Sequence, residues 1–186
     1  STLKLALENA YSTSTLVAAA GNDNINIGVC MFCFPHFPAA YNYILGVMDL
    51  PAGFIGYSND EKEGPIFSDY SETLLNYELY APGTGIMSTI PGGGYAPLTG
   101  TSMATPAAAG ASILIREYLM EVAERPAPQA SLIKEMLILG AEDIGTPNIP
   151  NNVEGWGRID LTNSLVPDSD VGIFVDDRHR LRSGEY

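Results

Sequence analysis

The stretch Gly100-Thr-Ser-Met-Ala-Thr-Pro106 places a serine between a glycine-rich run and a long apolar segment. A hydroxyl at the start of an apolar helix either caps that helix or acts as a nucleophile. The unpaired N–H groups of a helix start also favour an anionic oxygen. The pattern is Gly-x-Ser-x-Ala, which lacks the second glycine of the α/β-hydrolase nucleophile elbow. If Ser102 is a nucleophile, a different serine-hydrolase architecture must hold it.

The two cysteines form the segment Cys30-Met-Phe-Cys33, and His36 follows three residues later. Two thiolates and one imidazole leave a tetrahedral zinc one ligand short. In an extended segment the two Cα atoms would be about 10 Å apart, which is beyond the roughly 7 Å that a disulfide spans. A turn would remove that objection. The interpretation is therefore either buried thiols without a function or a local disulfide.

Composition narrows the class of protein. The chain has 186 residues, of which 46% are hydrophobic, enough for one domain with a sizeable core. With 22 acidic and 9 basic side chains the formal charge is -13, which repels phosphates and anionic lipids. We therefore expect neither nucleic acid nor a membrane as a partner. No apolar run approaches the roughly eighteen residues of a membrane span, and residues 1–25 lack a signal-peptide pattern.

Helical and extended patterns alternate along the chain. Helices are predicted at residues 3–10, 107–115 and 129–139, short apolar strands at 16–20, 43–48 and 79–81, and loops at 50–78. The helix after Pro106 has almost no polar face, so we expect it to be buried all round. Apolar strands alternating with helices indicate an α/β fold with a parallel sheet.

Four segments resemble one known family. Gly100-Thr-Ser-Met-Ala-Thr-Pro106, with Ala107-Ala-Ala-Gly110 after it, is similar to the nucleophile segment of the subtilisin-like serine peptidases (subtilases), although most members have a histidine where this chain has Ala107. Val17–Asn22 resembles their oxyanion strand, Tyr80–Gly83 the strand before the active site, and Gly155–Asp160 the close of the catalytic domain. The resemblance implies a parallel-sheet subtilisin-like α/β fold, incomplete because its N-terminal strands and helices are absent from this chain.

The same resemblance implies site residues. Ser102 would attack the scissile carbonyl, and its backbone N–H and the side-chain amide of Asn22 would hold the oxyanion. One wall of the substrate pocket would be formed by Ala18, Ala19, Ala20 and Gly21. His36 would lie near the far end of that pocket, unless it is an ordinary loop histidine. No cofactor is required for this chemistry, whereas structural calcium and secretion are common in the family.

The acid and base of a subtilase triad precede the oxyanion strand, and neither has a counterpart here. The histidines at positions 36 and 179 lack the family context. The resemblance therefore implies a complementary N-terminal portion that carries Asp and His. The strand at 16–20 would also lack its upstream partner strands, so the chain alone is expected neither to fold stably nor to hydrolyse peptides.

Beyond Leu165 the stretch Val171-Gly-Ile-Phe-Val175 predicts a strand, as in subtilases that carry a β-sandwich after the catalytic domain. We assign residues 1–165 to the C-terminal portion of the catalytic domain, and 166–186 to a linker and the first strand of a following β domain. The predicted function is a serine endopeptidase acting on proteins or peptides. The alternatives are a non-catalytic binding scaffold and a peptide ligase or cyclase on the same fold.

Overall fold

A computed structural model describes residues 2–23, 37–50, 79–144, 150 and 155–165. These residues form helices and strands in the order α1 (Thr2–Tyr11), β1 (Val17–Ala19), β2 (Leu45–Leu50), β3 (Leu79–Pro82), β4 (Ile86–Ile90), β5 (Gly94–Leu98), α2 (Thr101–Glu121), α3 (Ala130–Leu139) and α4 (Leu161–Leu165). The alternation of helices and strands confirms the predicted α/β class.

Strands β1, β2 and β3 form a parallel sheet in that order, with Val17 opposite Leu45 and Val47 opposite Leu79. Every residue of the central strand β2 is buried, as the apolar run in the sequence predicts. The residues of β1 are only half-buried. The prediction of full burial was wrong for β1, because β1 lies at an edge of this three-stranded sheet.

Helix α2 packs across the sheet through one side. The residues buried on that side are Thr101, Ala104, Ala108, Ala111, Ser112, Ile115 and Leu119. On the other side, Ile113 and Leu114 are 66% and 47% exposed. The expectation that this helix is buried all round was therefore wrong for the described part of the chain, in which the sheet covers only one side of it. None of the described helices is long and apolar enough to cross a membrane.

Helix α2 starts at Thr101, which agrees with the prediction that Ser102 stands where this helix begins. The helix contains Pro106. Pro106 lies beyond the first four N–H groups, which lack helical partners in any case, so it removes one bond of the helical ladder, the one to the oxygen of Ser102. Because the helix starts before the proline, Ser102 lies in its first turn.

Helix α3 matches its predicted bounds within one residue, with Gln129 and Gly140 at its two ends. It carries a buried lysine, Lys134, whose Nζ donates to the backbone oxygen of Asn42 at 2.6 Å. A buried ammonium needs such acceptors to offset the loss of water. The contact fixes α3 to the residues that lead into β2.

An antiparallel hairpin, β4–β5, lies between β3 and α2, with Thr89 opposite Tyr95. The turns at 91–94 were predicted, but the two strands were not. Gly92 and Gly93 have φ of 92° and 86°, a region that favours glycine. Most of the hairpin side chains are exposed, so no buried apolar pattern marks these strands in the sequence.

The segment 155–160 closes the core against β3. Tyr80 N–H donates to the oxygen of Gly157 at 2.9 Å, and Ile159 N–H donates to the oxygen of Tyr80 at 2.9 Å. Arg158 exchanges two backbone hydrogen bonds of 2.8 Å with Glu142, to which its side chain is also ion-paired. These contacts hold the end of the described chain to β3, on the side of the sheet opposite β1.

Several predictions fall outside the described residues. They are the loops at 50–78, the pair Cys30 and Cys33, the strand at 171–175, and the β domain assigned to 166–186.

Candidate active site

Ser102 lies in the first turn of α2 and is exposed. The residue at the cap position is Gly100, which has no side chain, so neither Thr101 nor Ser102 caps this helix. Gly100 has φ 145° and ψ 170°, a conformation that disfavours a side chain. Its N–H donates to the oxygen of Gly83 at 3.0 Å, which joins the helix start to the end of β3.

The first N–H groups of α2 differ in whether they have a hydrogen-bond acceptor. The oxygen of Gly100 accepts from Met103 at 2.9 Å and from Ala104 at 3.3 Å, and Thr101 N–H is bonded to Asn22. The N–H of Ser102 has no acceptor within the described part of the chain. The helix start therefore leaves one donor unused, at the residue that carries the candidate nucleophile.

The side chain of Asn22 is fixed by Thr101. Its Oδ1 accepts from the backbone N–H of Thr101 at 2.9 Å and from the Thr101 hydroxyl at 3.0 Å. Because a backbone N–H can only donate, the oxygen rather than the nitrogen of the amide must face Thr101. Among the described residues, Nδ2 has no hydrogen-bond partner. The amide nitrogen is therefore available to donate to a ligand.

The predicted pocket wall follows β1 into this region. Ala18 and Ala19 are half-buried, whereas Ala20 is fully buried and packs in a small apolar cluster with Ala39 and Met48. Gly21 N–H lies 3.4 Å from the Thr101 hydroxyl. The wall residues thus lead directly to the pair formed by Asn22 and the start of α2, while His36 lies outside the described residues.

Three participants in this arrangement were not identified from the sequence. They are Thr101, whose N–H donates to Asn22, and Gly83, whose oxygen accepts from the Gly100 N–H. The third is Asp49 of β2, which contacts Gly83. A hydroxyl directly before the serine was a usable indication of the first. An aspartate at the end of an apolar strand was an indication of the third, because charged side chains are rarely buried without a partner.

The carboxyl group of Asp49 is 1% exposed. Burial raises its pKa, since a charged carboxylate is poorly solvated inside the protein. Hydrogen bonds from the Thr84 hydroxyl, at 3.0 Å, and from the Gly83 backbone oppose that rise.

The part of the chain that the structure describes holds no group of three or more His, Cys, Asp or Glu side chains that could bind a metal ion. Structural calcium therefore stays a prediction, as does the expectation that the chemistry needs no cofactor. The described residues bring together the exposed hydroxyl of Ser102 and two donors that have no acceptor among the described residues, the Ser102 N–H and Asn22 Nδ2.

The model of the subtilase family matches residues 2–157. An intracellular serine protease of Paenibacillus polymyxa is 37% identical over 130 residues, which cover 68% of this chain and 34% of that protein. A halolysin-like extracellular serine protease of Natrialba magadii is 33% identical over 157 residues, 84% of this chain and 24% of that protein. The chain thus spans about a third or less of these relatives.

Solved structures give the same result for the fold. The patellamide maturation protease PatA superposes with a TM-score of 0.64 at 28% identity, over 88% of this chain and 53% of that one. The parallel sheet and the packed helices are therefore those of a subtilisin-like fold, of which this chain spans about half. From the family match over residues 2–157, we conclude that the chain belongs to the subtilase family.

Proposed function

We propose that the protein containing this chain is a serine endopeptidase that forms an acyl-enzyme on Ser102. The observation that carries the proposal is a pair of donors beside an exposed serine, the Ser102 N–H and the Nδ2 of Asn22, neither of which has an acceptor in the described part of the chain. Donors held in place before the reaction stabilise the negative charge of the tetrahedral intermediate without reorganising. The names of the curated relatives, which are serine proteases, support the same activity.

The reaction proceeds in two steps. Ser102 Oγ forms a bond to the carbonyl carbon of the scissile peptide while its proton passes to a histidine base. The carbon–nitrogen bond then breaks, and the amine leaves with that proton. Water hydrolyses the resulting ester and regenerates the serine. In both tetrahedral intermediates the oxyanion lies between Ser102 N–H and Asn22 Nδ2.

Substrates are proteins or peptides. The side chain that precedes the cleaved bond packs against the wall formed by residues 18–21, with His36 near its far end. Protonation of a histidine at that position would make side-chain preference depend on pH. This part of the proposal is supported by the half-buried Ala18 and Ala19 of β1, which lead along the chain to Asn22.

The histidine base and its aspartate come from a complementary N-terminal portion. The chain covers only 34% of the Paenibacillus polymyxa relative, which leaves room in such proteins for that portion. The exposed apolar side of α2, including Ile113, and the half-buried edge strand β1 offer it a surface of suitable chemistry. Burial of these side chains would be favourable by the hydrophobic effect.

Secretion stays a prediction, because the curated relatives include one named intracellular and one named extracellular.

Fluorophosphonate labelling tests the proposal, since a nucleophilic serine displaces fluoride from the phosphorus of the probe. We expect an adduct on Ser102 in the full-length protein, identified by mass spectrometry. Ser102→Ala should abolish the adduct, and Ser88→Ala, which changes an exposed serine of β4, should not. The isolated chain of 186 residues should stay unlabelled.

Two results would contradict the proposal. A folded full-length protein without any adduct would leave the binding scaffold, and labelling that survives Ser102→Ala would place the nucleophile elsewhere. Peptide products then separate hydrolase from ligase: with an added amine nucleophile, a hydrolase yields mainly free carboxylate and a ligase mainly the new amide.

A further inference from the structure

A buried carboxylate lies behind the nucleophile, and the proposed chemistry does not use it. Asp49 is on β2, where it is opposite Ala81 of β3, and its side chain is almost inaccessible to solvent. Its Oδ2 accepts from the Thr84 hydroxyl at 3.0 Å, and its Oδ1 lies against Gly83. Both residues belong to the turn that directly follows β3.

The space around Gly83 connects this carboxylate to α2. A methyl group built on Gly83 would lie 2.5 Å from Asp49 Oδ1, 2.7 Å from the oxygen of Gly100 and 2.9 Å from the Cβ of Ala104. Gly83 is therefore enclosed between the carboxylate and the first turn of α2. Because packed interiors are poorly compressible, a shift of the carboxylate must displace one of these neighbours.

A short series of contacts follows the same route. Asp49 Oδ1 lies against Gly83, the oxygen of Gly83 accepts from Gly100 N–H at 3.0 Å, and Gly100 precedes Thr101 and Ser102. The oxygen of Gly100 in turn fixes the N–H groups of Met103 and Ala104. Gly100 is thus held both through its N–H and through its oxygen, and this fixes the position of the Ser102 N–H two residues later.

A carboxylate is an unfavourable choice if the only need is to hold a turn. Burying a charge costs free energy, and a neutral side chain of the same shape often serves the fold equally well or better. Groups that oppose stability tend to be found where function requires them. What a carboxylate offers over an amide is that both of its oxygens can only accept, so the group meets the Thr84 hydroxyl and the tightly packed Gly83 without presenting a donor.

We propose that Asp49 is a positioning residue for the nucleophile: through Gly83 and Thr84 it fixes Gly100, and so the orientation of Ser102 and of its oxyanion-binding N–H. This role rests on the proposed function. Asp49 touches neither substrate nor reacting atoms, and its effect is on the rate of acylation rather than on substrate binding.

The test uses the full-length protein and two independent disruptions. Asp49→Asn keeps the shape but replaces one acceptor oxygen by a donor, and Thr84→Val removes one donor to the carboxylate. For each we expect kcat to fall about tenfold to a hundredfold with KM nearly unchanged, as for small displacements of reacting groups. Fluorophosphonate labelling of Ser102 should slow by the same factor.

Controls separate positioning from a general loss of structure. Thr84→Ser retains the hydroxyl and should keep the parental kcat. Thr162→Val is the same type of substitution at an exposed position of α4, and it should leave kcat unchanged. All rates are measured well below the melting temperature of each variant. If Asp49→Asn does not fold, Thr84→Val and Thr84→Ser still decide the matter.

The outcomes also distinguish this inference from the function on which it rests. If Ser102→Ala retains activity, the proposed function fails, and the positioning role fails with it. If activity requires Ser102 but both disruptions keep the parental kcat and labelling rate, only the positioning role is overturned. An increase in KM at constant kcat would likewise overturn it, because Asp49 would then act on substrate binding.

Discussion

At two junctions of this molecule a glycine lets two segments of the chain pack closely, but the junctions differ in how many of their polar groups are hydrogen-bonded. At the nucleophile junction, formed by residues 82–84 and 100–104, Gly83 lies in close contact with Asp49 and Gly100. At the closing junction, formed by residues 140–143 and 155–160, Gly157 lies in close contact with the backbone of Glu142. In both, the missing side chain allows two segments to approach more closely than any other residue permits.

The closing junction pairs the backbone groups of Tyr80, Glu142, Arg158 and Ile159 with one another. In the nucleophile junction the Ser102 N–H has no acceptor among the residues that the structure describes, a carboxylate is enclosed and the Ser102 side chain is exposed. One junction is therefore arranged for stability. The other buries a charge and exposes groups to which we assign a role in catalysis under the proposed function, so substitutions in the two places should have separable effects.

The largest effect is expected from Asn22→Ala in the full-length protein. Loss of an oxyanion donor should lower kcat about 10²–10³-fold, equivalent to about 2.7–4 kcal/mol, a range taken from a member of the subtilase family. The free energy of unfolding should fall by only about 1 kcal/mol, as Thr101 loses its acceptor. Steady-state kinetics and urea unfolding measure the two quantities. Asn163→Ala on the exposed face of α4 is the control, and a stability loss without a change in kcat would erase the contrast between the junctions.

Gly157→Ala should show the opposite pattern. Gly157 has φ 101° and no room for a methyl group beside the Glu142 oxygen, so the free energy of unfolding should fall by about 3 kcal/mol. The kcat of the folded fraction should stay the same. Gly110→Ala is the matched control, because nothing lies within 4 Å of its added carbon and a helical alanine stabilises by up to about 1 kcal/mol. A large loss of kcat in Gly157→Ala would mean that the closing junction also serves catalysis.

A smaller effect is expected in the pH dependence of stability. Burial raises the pKa of Asp49 above its ordinary value of 3.8, so the native state holds this proton more tightly than the unfolded state. The contribution of Asp49 to stability is therefore fully present below pH 3.8 and is lost as the pH rises through the native pKa. Asp49→Asn should lose less stability than the parent between pH 4 and pH 7 in urea titrations. Parallel pH profiles for the two proteins would contradict the raised pKa.

The smallest effect is expected from Glu142→Gln. The Arg158–Glu142 ion pair is more than a third exposed on both sides, and such pairs contribute at most about 1 kcal/mol. The backbone bonds between the same two residues remain in the variant. The difference in melting temperature between the parent and the variant should therefore be small at low salt and smaller at high salt, because salt screens the ion pair of the parent. A loss of several kcal/mol would show that the closing junction depends on this charge pair.

Periodicity was sufficient to predict most of the fold in the described chain. Buried strands such as β2 and helices such as α3 have uninterrupted patterns, and these were placed within about two residues. The β4–β5 hairpin was missed because its side chains face solvent, and the exposed side of α2 was missed because composition does not reveal which side has a neighbour.

The site shows the same division. Ser102 and Asn22 were predicted from resemblance and lie at one place in the structure, but their roles in catalysis stay predictions. The hydrogen bond between Thr101 and Asn22 joins residues that are 79 positions apart. No pattern of neighbouring residues could have revealed that contact, or the enclosure of Gly83 by Asp49.

Pro106 in α2 has a mechanical consequence for the nucleophile. A proline has no N–H, so the carbonyl of Ser102 cannot receive the bond that the residue four positions later would normally supply. Ser102 therefore has neither its N–H nor that carbonyl bond committed to the helical ladder. The first turn of α2 is therefore tied to the rest of the helix by one hydrogen bond fewer than an alanine at position 106 would give it.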